Sequence, residues 1–279
     1  IELDEAKVQA IADREMGIGC DQLIILYSRS GAAEAFAASG VALSGASHTA
    51  YENADNNGNT VFMRIYNADG SEVGACGNAT RCVAWLEMEA NKTDTVTVET
   101  QAGLLHCERK GERQIAVNMG TPKLEWQDIP VREACDTLHL PLVMPPLSNA
   151  VGVNVGNPHA IFFVDKLDGI DFPALGAKLE VHPFFPERAN ISIAKVEGKQ
   201  CIHLRVWERG AGITQACGTA ACAAMVAARR RGLVDKTASV RLPGGVLEMR
   251  WDGTESDPHH PVWMTGPVNH SGQAQLSIL

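Results

Sequence analysis

The chain has 279 residues, 45% hydrophobic and 20% charged, which suits a globular protein of one large or two ordinary domains. Its net charge of −9 argues against nucleic acid as a partner, because phosphate backbones are bound by clustered Lys and Arg. No apolar run approaches the ~18 residues of a membrane span, and eight cysteines without an export signal favour free thiols in the cytoplasm.

The first residues predict a helix, then a strand, then a long loop. Residues 3–15 (LDEAKVQAIADRE) have a helical pattern, and residues 19–26 (GCDQLIIL) have the pattern of a strand. Residues 28–60 are rich in Ala, Gly, Ser and Asn and have little periodicity, which is typical of a flexible loop. The sequence starts without Met, directly before the predicted helix. We therefore expect that an N-terminal strand is missing from the sequence.

The stretch GACGNATRCVAW, residues 74–85, places Cys76 directly before Gly77 and a helix. The predicted buried face of this helix has the i, i+3, i+4, i+7 spacing and consists of Ala79, Cys82, Val83 and Leu86. The positive end of the helix dipole is expected to lower the pKa of the Cys76 thiol. The unpaired amides of Gly77 and Asn78 could hold a carboxylate.

The second half of the chain contains the same kinds of element. Residues 140–150 (LPLVMPPLSNA) predict a connection between the halves, and residues 151–165 (VGVNVGNPHAIFFVD) predict an extra strand. A helix and a strand follow, and the cysteine motif then returns as QACGTAACAAM, residues 215–225. The helix that it opens ends at Arg229–Arg231, which we interpret as a solvated helix terminus.

An internal repeat relates the two halves. Placing Cys76 on Cys217 gives an offset of 141 residues (217 − 76), and this offset also places Arg64 on Arg205. The helix start at Cys217 therefore predicts the same lowered thiol pKa as at Cys76.

The repeat predicts two pseudo-symmetric domains, residues 1–123 and 124–265, with the tail 266–279 returning to the first. We expect an α/β fold of the α+β type, in which each domain is a mostly antiparallel, barrel-like sheet around a central helix. Duplicated halves commonly pack about a pseudo-two-fold axis, which would set the two cysteine turns face to face across a cleft.

Two opposed thiols suit stereochemical inversion, because one thiolate can remove a proton from a carbon and the opposite thiol can return one. The amides of Gly218 and Thr219, like those after Cys76, would bind the substrate carboxylate and stabilise the charge that develops on deprotonation. A cysteine chosen at random is more often a small buried hydrophobe. We interpret the remaining six in this structural way: Cys20, Cys82, Cys107, Cys135, Cys201 and Cys222.

Several motifs in the same order are similar to those of the diaminopimelate epimerase family, which works without pyridoxal phosphate. They are GIGCDQL, YNADGSEVGACGNATRC, GNPHAIFFV, ERANISI and WERGAGITQACGTAACAA, and they extend over nearly the whole chain. The sequence departs from the family pattern in lacking a leading GLGNDF strand and in having Ala79 where Gly is common.

The resemblance implies that Cys76 and Cys217 are the two acid/base residues and that the substrate is diaminopimelate, a small molecule with an amino acid at each end. It implies tuning roles for His159 and Glu208, no cofactor, no metal, and a cytoplasmic homodimer in lysine and cell-wall precursor biosynthesis. The implied substrate-binding residues are Gln22, Asn67, Gly77, Asn78, Asn157, Asn190, Glu208, Arg209, Gly218 and Thr219.

Two alternatives stay open at this point. A proline or hydroxyproline racemase would also use opposed cysteines, but its substrate has no second amino-acid end for Glu208 and Arg209 to bind. A thiol redox or zinc-binding protein would use the pairs Cys76/Cys82 and Cys217/Cys222, although their spacing is not the Cys-x-x-Cys of such sites.

Overall fold

A computed structural model describes residues 3–27 and 60–273 and divides the chain into two compact units. The first unit comprises residues 1–116 and 266–279, and the second comprises residues 117–265. Most of the predicted loop 28–60 lies outside the described residues. Within the described ranges, none of the helices combines the length and the apolar character needed to cross a membrane.

The described residues of the first unit form a sheet and two helices. Its strands follow the order β1-β2-β4-β5-β6, with β3 beside β2; β1–β2 and β4–β5 pair antiparallel and β2–β4 pairs parallel. The elements are α1 (Glu5–Ala12), β1 (Gln22–Tyr27), β2 (Thr60–Asn67), β3 (Glu72–Val73), α2 (Gly77–Asn91), β4 (Thr95–Thr100), β5 (Gly103–Gly111) and β6 (Gln114–Asn118).

The buried face of α2 differs from the predicted one. Cys82 and Leu86 are exposed, so their predicted burial is wrong, and the buried stripe is rotated by about 100°, or one residue. The polar residue Thr80 misled the prediction: its hydroxyl donates to the Cys76 carbonyl over 2.9 Å and can therefore be buried at little cost. The buried residues of α2 are Ala79, Thr80, Arg81, Val83, Ala84 and Met88.

The second unit is a larger sheet packed around one buried helix. Its strands follow the order β7-β8-β9-β10-β11-β13-β14-β15, with β12 beside β11. The elements are β7 (Leu140–Met144), β8 (Leu147–Asn154), β9 (Pro158–Phe163), α3 (Phe172–Glu180), β10 (Asn190–Glu197), β11 (Cys201–Glu208), β12 (Gly212–Thr214), α4 (Gly218–Arg230), β13 (Thr237–Leu242), β14 (Gly245–Trp251) and β15 (Val262–Pro267). Small side chains from Ala220 to Ala228 let β8, β9, β10, β11, β13 and β14 approach α4 closely.

Two sequence predictions in this unit are wrong. Residues 140–150 form the hairpin of β7 and β8, because Pro145 and Pro146 make a two-residue turn between them. Residues 151–165 hold the end of β8 and all of β9 rather than one strand, because Gly156, at a φ of 105°, turns the chain.

The arginines that end α4 are not a solvated terminus. The side chain of Arg230 is only 3% exposed and donates to Glu255, to the Gly152 carbonyl and to Thr137. Arg231 donates to the carbonyls of Leu138 and Asn149. The interpretation fails because these guanidinium groups bond to acceptors from distant parts of the chain, which the local charge pattern does not reveal.

The repeat appears in both units at the predicted offset. β2 covers residues 60–67 and β11 covers residues 201–208, which are 141 residues apart (201 − 60). Each strand has an antiparallel neighbour on one side and a parallel one on the other, and each carries a short antiparallel strand before the cysteine helix. The predicted α/β class, with repeated halves that are mostly sheet, is confirmed.

Candidate active site

Cys76 and Cys217 occupy equivalent positions at two helix starts. Cys76 caps α2 with φ −148° and ψ 115°, and Cys217 caps α4 with φ −148° and ψ 111°. The Cys76 cap makes no side-chain hydrogen bond to its helix, whereas the Cys217 sulfur contacts the Thr219 hydroxyl over 3.4 Å. The first amides of each helix have no acceptor within the helix, so both turns can donate to an anion.

The pKa of Cys217 is raised to about 12, so the predicted lowering is wrong for this thiol. Burial is the largest cause, since only 7% of the residue is exposed, and the negative charge of Glu208 adds to it. The Ala220 amide and the Thr219 hydroxyl lower the pKa, as a helix start should, but burial outweighs them. Cys217 therefore holds its proton at neutral pH.

The first unit brings together two of the predicted binding residues, Gln22 and Asn67. The Gln22 amide donates to the Asn67 side-chain oxygen over 3.2 Å, and the Asn67 amide donates to the Ser71 hydroxyl over 3.0 Å. These contacts join β1 to the turn that follows β2. Asn78 lies elsewhere in this unit, on the first turn of α2, where its side-chain oxygen accepts from Arg81 over 3.0 Å.

The second unit holds Glu208 and Arg209 at the end of β11. The Thr214 hydroxyl donates to Glu208 over 2.5 Å, which fixes that carboxylate beside the β12 strand that leads to Cys217. The guanidinium of Arg209 donates to the Glu187 carbonyl over 3.0 Å, and Arg209 is exposed.

The side chain of Asn190 is hydrogen-bonded to backbone atoms on two neighbouring segments. Its side-chain oxygen accepts from the Arg209 amide over 2.9 Å, and its side-chain nitrogen donates to the Pro158 carbonyl over 2.9 Å. The residue is only 3% exposed. Asn190 therefore joins Arg209 to the start of β9, and its contact with substrate, which the resemblance implies, stays a prediction.

His159 is a neutral, fully buried imidazole. Its Nε2–H donates to the Asn157 side-chain oxygen over 2.8 Å, and Nδ1 has no hydrogen-bond partner among the described residues. Burial, followed by the charge of Arg209, lowers the pKa of His159 to about 3. The neutral side chain can therefore accept a hydrogen bond at Nδ1, whereas its lowered pKa disfavours taking up a proton there.

Glu180 is a positioning residue that the sequence analysis missed. Its buried carboxylate, 8% exposed, accepts from the Trp207 indole over 2.7 Å and from the Gly210 amide over 3.0 Å. These two partners stand on either side of Glu208 and Arg209, so one carboxylate at the end of α3 fixes both ends of that dipeptide. A glutamate at the polar end of an amphipathic helix gave no signal of this role.

We expect Glu180→Gln to reduce kcat/KM roughly tenfold, mainly through a higher KM, because small displacements of binding groups are costly. The glutamine amide group must face one of two N–H donors, which breaks the contact to Trp207 or to Gly210. Steady-state kinetics measures the effect, with the exposed Glu187→Gln as the matched control. Unchanged kinetics in a folded Glu180→Gln enzyme would contradict this role.

All eight cysteines lie within the described residues and are free thiols. Among the described residues, one group of side chains has ligand atoms close enough together to hold a metal ion. It consists of Glu197, Cys201 and His203. The pairs proposed for a redox or zinc protein, Cys76/Cys82 and Cys217/Cys222, contribute no atom to that group.

Solved structures define the class of fold. A phenazine biosynthesis protein of the PhzF family from Bacillus anthracis matches with a TM-score of 0.58 and 16% identity, over 95% of this chain and 86% of that one. A hydroxyproline epimerase from Agrobacterium vitis matches with a TM-score of 0.52 and 15% identity, over 74% of this chain and 68% of that one. The protein therefore has the fold that these PhzF and epimerase structures share.

Sequence comparison then gives the family. The model of the diaminopimelate epimerase family matches residues 1–125 and 151–271. A diaminopimelate epimerase from Rhodospirillum centenum is 45% identical over 99% of this chain and 84% of that relative. A second, from Acidiphilium cryptum, is 46% identical over 96% and 85%. This chain belongs to the diaminopimelate epimerase family.

Family membership confirms the resemblance and places the chain among the isomerases. The racemase alternative is less supported, because relatives named diaminopimelate epimerase reach 41–49% identity whereas the hydroxyproline epimerase shares only the fold. A redox or zinc protein is likewise not what the family model indicates.

Proposed function

We propose that this protein interconverts LL- and meso-diaminopimelate by a two-base transfer of the α-proton that uses no cofactor. The observation that carries the proposal is the pair of Cys-Gly helix starts, equal in backbone geometry and 141 residues apart (217 − 76), in a member of this family. Two such groups are what inversion at one carbon requires, because the proton must leave one face and return to the other.

In the proposed reaction, the Cys76 thiolate takes the α-proton and becomes a thiol, and the electron pair of the broken C–H bond remains on the substrate. The Cys217 thiol then gives its proton to the opposite face and becomes a thiolate. The raised pKa of Cys217 supports its role as the proton donor in this direction of the proposed reaction. The reverse reaction starts from the opposite protonation state of the pair.

The helix starts would bind the reacting carboxylate. The amides of Gly77, Asn78, Gly218 and Thr219 have no acceptors within their helices and lie at positive dipole ends. Such donors stabilise the negative charge that moves onto the carboxylate when the α-carbon loses its proton.

The remaining polar residues would recognise the second amino-acid end of the substrate. Arg209 offers a forked donor for the distal carboxylate, and Asn67 and Gln22 offer amide donors and acceptors. Glu208 affects Cys217 directly, since its charge raises the pKa of that thiol. Asn157 and Asn190 would bind substrate as the resemblance implies, and neutral His159 would support Asn157, with Nδ1 able to accept a hydrogen bond.

A cytoplasmic location and a homodimer remain proposals that rest on the family. A reducing compartment suits the scheme, because oxidation of either thiol would remove an acid or a base.

The activity is tested by incubating LL-diaminopimelate with the protein in deuterated water. We expect meso product that carries deuterium at the inverted carbon, because the returning proton comes from a thiol that exchanges with solvent. L-Proline and hydroxyproline, offered in parallel, should show neither exchange nor inversion. Inversion of proline without inversion of diaminopimelate would favour the racemase and contradict the proposal.

A further inference from the structure

The hairpin of β10 and β11 places three metal-ligating side chains together on one face of the sheet. Glu197 lies directly opposite Cys201 in the β ladder, and His203 follows two residues later on the same face. The Cys201 sulfur is 3.6 Å from Nε2 of His203, and that nitrogen is 2.9 Å from the Glu197 carboxylate. All three ligand atoms lie within 4.8 Å of one another.

Hydrogen bonds among these three side chains cannot satisfy both close contacts of His203 at once. Both contacts of His203 go through Nε2, and one ring nitrogen has either one N–H or one lone pair. It can donate to the carboxylate of Glu197 or accept from the thiol of Cys201, but it cannot do both. A cation at the point where the three atoms meet would bind the lone pair of each.

We infer that Glu197, Cys201 and His203 form a binding site for a thiophilic divalent cation, with Zn²⁺ as the best match. Sulfur, imidazole nitrogen and carboxylate oxygen are the ligands that zinc prefers in proteins. With ordinary zinc–ligand bond lengths, tetrahedral geometry places sulfur and nitrogen roughly 3.5 Å apart. The observed 3.6 Å separation therefore needs almost no adjustment, and the 2.9 Å separation between nitrogen and oxygen has to widen to roughly 3.3 Å.

The charges on the site fit a divalent ion. On binding, the Cys201 thiol releases its proton to solvent, and the thiolate together with the Glu197 carboxylate balances two positive charges. His203 is flanked on its neighbouring strands by Lys195 and Arg241, which oppose a cation. Three ligands with two nearby cations give a weaker site than a four-ligand structural one, with the fourth position open to water.

The site is separated from Glu208 by the length of one strand. Cys201 begins β11 and Glu208 ends it, so the two are about 23 Å apart at the usual rise per residue. The sequence assigned Cys201 a structural role, and the structure places its sulfur 3.6 Å from His203 and within 4.8 Å of the Glu197 carboxylate.

Calorimetric titration with Zn²⁺ tests the site. The full chain carrying Cys76→Ala and Cys217→Ala serves as parent, so that the two helix-start thiols cannot contribute. We expect one saturable equivalent of Zn²⁺ and, with Co²⁺ as probe, a sulfur-to-metal charge-transfer absorption. Cys201→Ser should abolish that absorption. His203→Gln and Glu197→Gln should each weaken Zn²⁺ binding at least tenfold, because even the loss of an outer-shell partner of a metal ligand weakens metal affinity by about that much.

The matched control is Cys82→Ser in the same parent, because Cys82 is also an accessible thiol but has no such partners. It should bind Zn²⁺ as the parent does. All three ligand residues are at least partly exposed on a strand surface, so circular dichroism in a chelator should show each variant folded. The inference is overturned by a parent that binds no saturable Zn²⁺, or by Cys201→Ser and His203→Gln that bind it with parental affinity.

Discussion

Cys76→Ala and Cys217→Ala are each expected to abolish epimerisation, with kcat lowered about 10²–10⁴-fold or more. Alanine carries no transferable proton, so each variant keeps a group on only one face of the α-carbon. Both side chains are small and both precede glycine at a helix start, so the replacements should leave the backbone in place.

The two variants should differ from a generally damaged enzyme in a specific way. In Cys217→Ala, the Cys76 thiolate can still remove a proton from one epimer and return it to the same face. We therefore expect residual exchange of the α-hydrogen with deuterated water and no inversion. Cys76→Ala should show the mirror-image behaviour, with slow exchange restricted to the other epimer.

Exchange and inversion are followed together by NMR and chiral chromatography. Cys82→Ala is the matched control, because it removes a thiol from the same helix that Cys76 opens. It should retain inversion at the rate of the unchanged enzyme. A Cys217→Ala enzyme that inverts diaminopimelate at an unchanged rate would rule out the two-base scheme and leave Cys76 as a single base.

The repeat made much of the fold predictable from sequence. An offset of 141 residues (217 − 76) found from two cysteines also relates β2 to β11, which have the same length and the same arrangement of antiparallel and parallel neighbours. The α/β class and the helix starts at Cys76 and Cys217 follow from that relation together with local capping patterns.

Properties that depend on tertiary contacts were not predictable. The dipole argument correctly predicts that the Ala220 amide lowers the pKa of Cys217. Burial of the thiol, however, raises this pKa by a larger amount. The burial of Cys217 and the position of Glu208 depend on how β11, β12 and α4 pack together. The sequence motif around Cys217 does not predict either of them. Glu180 likewise becomes a positioning residue only because α3 ends beside Trp207.

Glu255→Ala is expected to destabilise the second unit by about 3 kcal/mol, because it leaves a buried guanidinium without its carboxylate. Arg230 has a side-chain exposure of 3% and makes two contacts to Glu255, at 2.5 and 2.9 Å. Its other hydrogen-bond partners, the Gly152 carbonyl and the Thr137 hydroxyl, are neutral, so without Glu255 the charge is left to the weaker, longer-range attraction of Asp136. Arg230→Met should cost less, since it removes the buried charge and leaves Glu255, which is 48% exposed, free to be solvated.

Urea unfolding monitored by tryptophan fluorescence measures the difference, with the m-value held common so that the midpoint reports stability. Asp168→Ala provides the matched control: it also removes the carboxylate partner of an arginine, but Asp168 is 94% exposed and Arg205 42% exposed. An exposed pair of this kind contributes less than about 1 kcal/mol, so the midpoint should barely move. If Glu255→Ala shifted the midpoint as little as Asp168→Ala, the hydrogen bonds from Arg230 to Gly152 and Thr137 would be sufficient to stabilise the buried charge.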